Sequence, residues 1–404
     1  MILRARYALL GPGVVRRDVR LQIDGQRISA IQSGYVPGAP QPDHDFGLAL
    51  ITPGLVNAHA HLELEFCRGR VPYRGSFIRW LQDVRDLKQE LPDTATTFPR
   101  ETLAALRAGG CTTVLDHHTI NLNWDAVAGM GLRYLPFREF FMFNNHRPDL
   151  ERMRAQAKLS YAPHSSYTAS IEVAEACRTL ADAAGLPISV HLSEFPAELE
   201  FIRSGHNPDV ERLLEMAGAT DSAWHGARMS PIALFAKHGV LSAPTYLIHG
   251  NYLEPGDMEL LSELKPTIVY CPHSHAFFQH PQHPLASYLA AGINVALGTD
   301  SLASNAALSP LREAALARQR LPEVAAADLF AAITVRGLQP LGWDKYLGRL
   351  EPGYLADFAV FTLPADPGAD FGALFDALLA TQRCAMTVCG GKVIHGSLRD
   401  AVAA

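Results

Sequence analysis

Apolar positions along this chain come in two textures. Near the N-terminus they alternate with polar ones. Val19-Arg20-Leu21-Gln22-Ile23 and Arg27-Ile28-Ser29-Ala30-Ile31 flank Asp24-Gly25, which is the pattern of a β-hairpin closed by a tight turn. The C-terminal stretch repeats this texture. Ala356-Asp357-Phe358-Ala359-Val360-Phe361 and Ala385-Met386-Thr387-Val388-Cys389 read as strands, and Gly390-Gly391-Lys392 as a turn before Val393-Ile394. Between the ends, short apolar runs alternate with longer Ala/Leu/Arg-rich helical segments. Examples are Pro99 to Arg107 before the run Cys111 to Leu115, and Ile171 to Ala184 before Pro187 to Val190. Repeated strand-then-helix predicts an α/β fold, a TIM-like (β/α)8 barrel with its active site at the C-terminal ends of the strands. A doubly wound open sheet is the alternative. It explains less well why polar residues end so many separate strands, and no dinucleotide or phosphate-binding loop appears in the right context.

Those strand-end residues carry the chemistry. His59-Ala60-His61 closes the run Leu50 to Asn57. His191 and Glu194 follow Pro187 to Val190, His249 follows Thr245 to Ile248, and Asp300 follows Ile293 to Thr299. Residues two apart in a strand share a side, so His59 and His61 can grip one ion together. Three imidazoles and a carboxylate from separate strand ends suit a divalent transition metal with a position left for water. That is the signature of a metal-dependent hydrolase. Two other histidine groups compete with the first pair. His273-Ser274-His275, with His280 and His283 beyond, follows a strand-like run but is interrupted by Pro272, and reads as pocket lining or loop. His117-His118 also ends a run, but neighbours on a strand point opposite ways.

Composition narrows the class without changing this picture. The chain has 404 residues, 48% apolar and 19% charged, enough for one large domain and a smaller one. A net charge of −6, a pI near 6.3 and the lack of a basic run exclude a nucleic-acid scaffold. No apolar stretch has membrane-spanning length, and Met1 to Tyr7 lacks a secretory pattern, so a cytoplasmic location is expected. Cys67, Cys111, Cys177, Cys271, Cys384 and Cys389 are scattered and read as structural thiols. Cys67 and Cys271 lie close to the histidine motifs, but neither has an activating base beside it.

The order of the motifs is specific. Asn57-Ala58-His59-Ala60-His61, His191-Leu192-Ser193-Glu194, Ile248-His249-Gly250 and Leu297-Gly298-Thr299-Asp300-Ser301 resemble those of the amidohydrolase superfamily. Gly348-Arg349-Leu350-Glu351-Pro352-Gly353-Tyr354-Leu355-Ala356-Asp357 resembles the segment returning such chains from the barrel to a small β-sandwich. The resemblance implies that residues 1–52 and 351–404 pack as one sandwich beside a barrel of residues 53–350. Binuclear members carry a carboxylated lysine at the end of the fourth strand. Here that run is Leu159 to His164, Lys158 lies on its N-terminal side, and Lys237, Lys265, Lys345 and Lys392 are elsewhere. One metal is therefore expected, on His59, His61, His191 and Asp300. Zn2+ is the leading choice, with Fe2+ and Mn2+ tolerated by such ligands.

The His-x-x-Glu step resembles the deaminase branch in particular. It implies that Asp300 accepts a proton from the attacking water, and that Glu194 carries a proton to a ring nitrogen and then to the departing amine. His249 either polarises the substrate or holds the water, or completes the coordination sphere. His164 resembles a substrate-contacting histidine of that branch, and Trp80-Leu81 resembles its aromatic lid. Asp300-Ser301-Leu302-Ala303-Ser304-Asn305, Leu308-Ser309-Pro310-Leu311-Arg312-Glu313 and the Ala60-His61-Leu62-Glu63 step are most similar to the aminodeoxyfutalosine deaminases. This implies conversion of 6-amino-6-deoxyfutalosine to futalosine and ammonia in menaquinone biosynthesis. Such a substrate carries a carboxylate, for which a guanidinium is suited. Arg138 is the first choice, with Arg74 and Arg79 as others.

Two positions depart from the pattern. His275 stands where related deaminases usually have Asn, and Ser301 where Gly is common. Deamination of adenosine, methylthioadenosine or S-adenosylhomocysteine, guanine or cytosine, and dehalogenation or amide hydrolysis, are the alternatives. A non-catalytic metal-binding scaffold would not need Glu194, His249 and Asp300 all at strand ends. The expected partner is a small molecule, with no nucleic acid and no membrane, and a homodimer is compatible with the sequence.

Overall fold

The computed structural model describes residues 1–34, 38, 40–90, 100–119, 129–141, 148–157, 160–217, 226–242, 244–381 and 384–397. Pro99, Lys158 and Leu159, which figure in the sequence reading, lie outside them. Two sheets organise the chain. The terminal segments supply β1 (Ile2–Gly11), β2 (Val14–Asp24), β3 (Arg27–Ser33), β4 (His44–Asp45), β5 (Ala49–Pro53), β15 (Phe358–Thr362), β16 (Cys384–Cys389) and β17 (Lys392–His395). The expected hairpin is present one residue later than Asp24-Gly25: Asp24 pairs with Arg27, so the two-residue turn is Gly25-Gln26. The expected sandwich takes the form of one hydrogen-bonded eight-stranded sheet, in the order β17-β16-β15-β5-β1-β2-β3 with β4 on β1. Its alternating apolar residues, among them Leu3, Leu21, Ile51, Phe358 and Met386, form a core of their own. A helix, Phe371–Thr381, separates β15 from β16. It packs Phe371 and Phe375 against Phe330, with ring centroids 5.7 and 5.9 Å away.

The second sheet is parallel throughout. It contains β6 (Leu55–His61), β7 (Cys111–His118), β8 (Arg133–Phe140), β9 (Ser160–Pro163), β10 (Ile188–Leu192), β11 (Thr245–His249), β12 (Thr267–Tyr270), β13 (Val295–Leu297) and β14 (Asp300–Ser301). Its order is β13-β12-β11-β10-β9-β8-β7-β6-β14. β13 and β14 stand at opposite ends, yet only Gly298 and Thr299 separate them in the chain, so the sheet curls until its ends meet. At this seam Gly298 N–H donates to Tyr270 C=O (2.9 Å) and Thr299 N–H to His59 C=O (2.8 Å). A Cβ on Gly298 would sit 2.7 Å from the Cβ of His59, so no other residue fits without a shift. The interior of the curl is filled by Val56, Ala58, Leu115, Phe137, Tyr246 and Ile248, every second residue of its strands. Among the described residues no helix is long and apolar enough to cross a membrane.

The two sheets are joined covalently at Gly54, where a Cβ would fall 2.1 Å from Thr112 Oγ1. They are also joined by a two-pronged ion pair. Arg133 Nε and Nη2 donate to Asp357 Oδ2 and Oδ1 at 2.7 and 2.9 Å, and Gly390 N–H donates to Oδ1 at 2.7 Å. Asp357 is buried while Arg133 keeps some contact with solvent. Asp357→Ala leaves a guanidinium and an amide without their acceptor. The expected loss of stability is about 3 kcal/mol, the low end for breaking a buried pair because Arg133 is still partly hydrated. A lower denaturant midpoint with unchanged kcat is the result that checks it.

Candidate metal centre

The C-terminal ends of the curled strands bring four donors together. His59 and His61, two apart on β6, both turn inward, because the strand is irregular between Asn57 and Ala60 and the alternation that buries Val56 and Ala58 is reset there. Their Nε2 atoms each lie 3.8 Å from Asp300 Oδ1, and His61 Nε2 lies 3.4 Å from His191 Nε2. Donors about 2.1 Å from one tetrahedral ion stand about 3.4 Å from each other, so this spacing suits a shared ion. His59 Nε2 is buried without a hydrogen-bond partner among the described residues, which is how an imidazole nitrogen aimed at an ion stands before the ion is placed. Three nitrogens and one carboxylate oxygen are a donor set that a divalent transition metal accepts. The residues fit the metal.

Local structure aims each donor. Asp300 has a positive φ of 54°. Its Oδ2 accepts the hydroxyls of Ser274 (2.6 Å) and Ser304 (2.7 Å), which leaves Oδ1 facing the imidazoles. Burial acts to raise the Asp300 pKa, but His61, His249 and the two serines outweigh it and hold the carboxyl below its usual range. His191 Nδ1 donates to His164 C=O at 2.8 Å, so its Nε2 is free to bind. Burial pushes His191 down to about 4, and a neutral ring with a lone pair is what a metal needs.

Glu194 and His249 stand beside these donors. His249 Nε2 and Glu194 Oε1 are 3.1 Å apart. The Glu194 backbone is held from both sides. Its N–H donates to Glu198 Oε2 (2.8 Å), and its carbonyl accepts from Asn251 Nδ2 (2.9 Å). Burial, with Asp300 and Glu198 close by, holds the Glu194 carboxyl well above its usual range. His249 has a positive φ of 71°, and its carbonyl is bound by His283 Nε2 at 3.0 Å.

A cavity of about 300 Å³ opens over this group, with His61, His191, His249, Glu194 and Asp300 on its surface. Phe77, Trp80, Val84 and Leu213 form an apolar wall. Trp80 is buried, and its indole N–H donates to Ala303 C=O at 3.4 Å. His164 lines the cavity too, stacked on Phe141 with centroids 4.1 Å apart. The arginines expected to read a carboxylate are elsewhere. Arg79 is paired to Asp83 at 3.2 Å with its side chain over half exposed, and Arg74 meets the same aspartate at 3.4 Å. Arg138 is not on the cavity wall. Phe137 and Glu139 take the inward positions of β8, and Arg138 falls on the other side by strand alternation. Neither Cys67 nor Cys271 lines the cavity, and burial raises both thiols, Cys67 to about 12.

Several cavity residues were not singled out from the sequence. Glu139 Oε2 is 3.8 Å from His61 Nδ1, and its Oε1 is 3.8 Å from His191 Nδ1. Lys88 reaches the wall from the helix Phe77–Gln89 and is bound to Glu63 (2.8 Å) and Thr119 (2.6 Å). Arg85, on the same helix, borders the cavity. His117 points inward and lies 2.9 Å from His59, nitrogen to nitrogen. His273 pairs with Glu313 (3.2 Å), and His275, His280 and His283 form a separate ring cluster away from the cavity.

Known proteins match this architecture along most of the chain. The Amidohydrolase family pattern covers residues 50–394. A 5-methylthioadenosine/S-adenosylhomocysteine deaminase from Pyrococcus furiosus is 28% identical over 344 residues, covering 78% of this chain and 75% of that protein. An aminodeoxyfutalosine deaminase from Deinococcus radiodurans is 28% identical over 316 residues, covering 73% of this chain and 74% of its own. Among solved structures, Helicobacter pylori aminofutalosine deaminase in complex with methylthio-coformycin superimposes with a TM-score of 0.84 at 20% identity. That match covers 97% of this chain and 99% of the other, and it concerns the fold. With 345 consecutive positions inside the family pattern, this chain belongs to the amidohydrolase family.

Proposed function

We propose that this hydrolase removes an amino group from an adenine-type nucleoside, with 6-amino-6-deoxyfutalosine as the substrate and futalosine and ammonia as products. The Glu194–His249 pair, 3.1 Å apart beside the set of His59, His61 and Asp300, with His191 3.4 Å from His61, is the observation that carries this reading. An ion held by His59, His61, His191 and Asp300, with Zn2+ as first choice over Fe2+ and Mn2+, would lower the pKa of a bound water towards ~7 and so provide the nucleophile. Asp300, its Oδ2 tied by two serines, takes up the proton that the water gives away. Glu194 delivers a proton to the ring nitrogen beside the carbon under attack and then serves the departing amine. His249, set by Glu194, faces the exchanged group. Trp80 and Phe77 offer the flat apolar wall that a purine needs, and His164 is placed to contact the substrate.

Arg85, at the cavity border, takes over the carboxylate-reading role first expected of Arg138 or Arg79. In this reading the curled sheet is a (β/α)8 barrel whose eighth strand is interrupted at Gly298-Thr299. The chain divides at residues 52 and 350, and the enzyme works on a small molecule in the cytoplasm, in menaquinone biosynthesis.

A second reading, deamination of methylthioadenosine or S-adenosylhomocysteine, is favoured by the Pyrococcus furiosus relative, which matches at the same 28% identity. Ammonia release by zinc-loaded protein separates the two. The expected result is the highest kcat/KM on aminodeoxyfutalosine, among a panel that includes adenosine, methylthioadenosine, S-adenosylhomocysteine, guanine and cytosine. Preference for a thioether nucleoside would select the second reading. No ammonia from any of them, with zinc bound, would point to amide or halide hydrolysis.

A further inference from the structure

His59 is the ligand whose surroundings are unusual. Its Nδ1 meets Nδ1 of His117 at 2.9 Å, and the far side of that ring, Nε2, meets Ser189 Oγ at 2.7 Å. His59, His117 and Ser189 are all fully buried, so water does not compete for these bonds. The chain of contacts runs from β6 to β7 and then across the interior to β10, which is three places away from β7 in the sheet. Phe137 stacks on the His117 ring at 5.0 Å and 14°, which fixes the plane of the imidazole.

We propose that His117 is a positioning residue for the metal, accepting the Nδ1 proton of His59 so that His59 Nε2 presents its lone pair to the ion. This rests on the reading of His59 as a ligand. A neutral imidazole has one N–H and one lone pair, and the two Nδ1 atoms share a single proton. If His59 gives the lone pair of Nε2 to the ion, its Nδ1 carries the proton and donates to His117. His117 Nδ1 is then the acceptor, its own proton is on Nε2, and Ser189 Oγ accepts it. One choice at His59 orders three residues.

The opposite order uses the same two contacts. Ser189 donates to His117 Nε2, His117 Nδ1–H donates to His59 Nδ1, and the remaining proton sits on His59 Nε2, where it blocks the ion. His191 has no such freedom, because it is backed by the carbonyl of His164, which can only accept. Metal-binding histidines are usually backed by a carboxylate, a carbonyl or a water. Here the backing group can accept or donate, and only the arrangement in which His117 accepts leaves His59 Nε2 open to the ion.

The test is zinc affinity of the metal-free full chain, measured by competition with a chromophoric chelator. The wild-type chain is expected to take up one equivalent. His117→Leu removes the acceptor and should weaken zinc on the order of 10–100-fold, the usual effect of losing such a partner. His117→Asn keeps an oxygen near the place of Nδ1 and should retain most of the affinity, although it leaves a void comparable to that of leucine. Ser189→Ala, the milder change, should weaken binding less than His117→Leu and carries the test if the leucine variant does not fold. Wild-type affinity in both His117→Leu and Ser189→Ala overturns the proposal. A wild-type chain that takes up no zinc would remove the ligand reading itself, and this proposal with it.

Discussion

Glu194→Gln keeps its zinc and loses turnover by about 10²–10⁴-fold, the range that one positioned proton carrier contributes. The side chain keeps its shape and can still hydrogen bond to His249, which lies 3.1 Å from Oε1 in the parent protein. Its backbone is secured independently by Glu198 and Asn251, so the loop has no reason to move. What is lost is the proton that the amide cannot pass on. Burial, Asp300 and Glu198 hold the carboxyl well above its usual range, so its protonated form persists to higher pH than that of an ordinary carboxyl group. The rate that depends on it declines as pH rises through that raised pKa, and the glutamine variant should lack this limb. Steady-state ammonia release and zinc content, measured on one preparation, check both halves. Undiminished turnover would sink the proton-carrier role.

Asp300→Ala is expected to abolish both zinc uptake and turnover. Two imidazole nitrogens face Asp300 Oδ1 at 3.8 Å, and the carboxylate supplies the one negative charge in the donor set. Binding to the folded state alone stabilises it, by about 4 kcal/mol at a free metal concentration 1,000 times Kd. Wild-type protein should therefore melt higher with zinc than after chelation. The variant should show no such increment, whatever its own Tm. The difference is the right quantity to read, because Ser274 and Ser304 also lose their acceptor, and that loss lowers the fold with or without metal. A zinc-dependent increment of wild-type size in the variant would mean that the ion sits elsewhere.

The residues that the sequence made legible share one property. His59, His61, His191, His249 and Asp300 end apolar runs, and alternation gives His59 and His61 a common direction, while positive φ angles turn His249 and Asp300. The Asp24-Gly25 hairpin was legible for a similar reason, since a two-residue turn leaves little choice of register. Residues whose role depends on which strands are neighbours were not. His117 matters because β7 lies beside β6 and faces β10, and no pattern within Cys111–His118 reports that. Arg138 was preferred to Arg74 and Arg79 for its place at a strand end, whereas Phe137 in the interior assigns the inward side to odd positions of β8. Lys88 and Arg85 belong to a helix after the first curled strand, and only folding brings that helix over the cavity. The helix Phe371–Thr381 has one charged residue, Asp376, among 11, so it lacks the polar face by which a surface helix is recognised.

The seam at Gly298 orders events during synthesis. His59 and His61 are made early, but Asp300 leaves the ribosome much later. The hydrogen bond from Asn57 to Thr299 that helps close the ring joins residues 242 positions apart. Contacts this distant form late, because the intervening chain must be ordered before they can stabilise anything. A nascent chain that ends before the seam holds the three imidazoles but not Asp300, in a sheet whose edges are still apart. The full set of His59, His61, His191 and Asp300 is therefore a product of ring closure, absent from any chain cut short of residue 300.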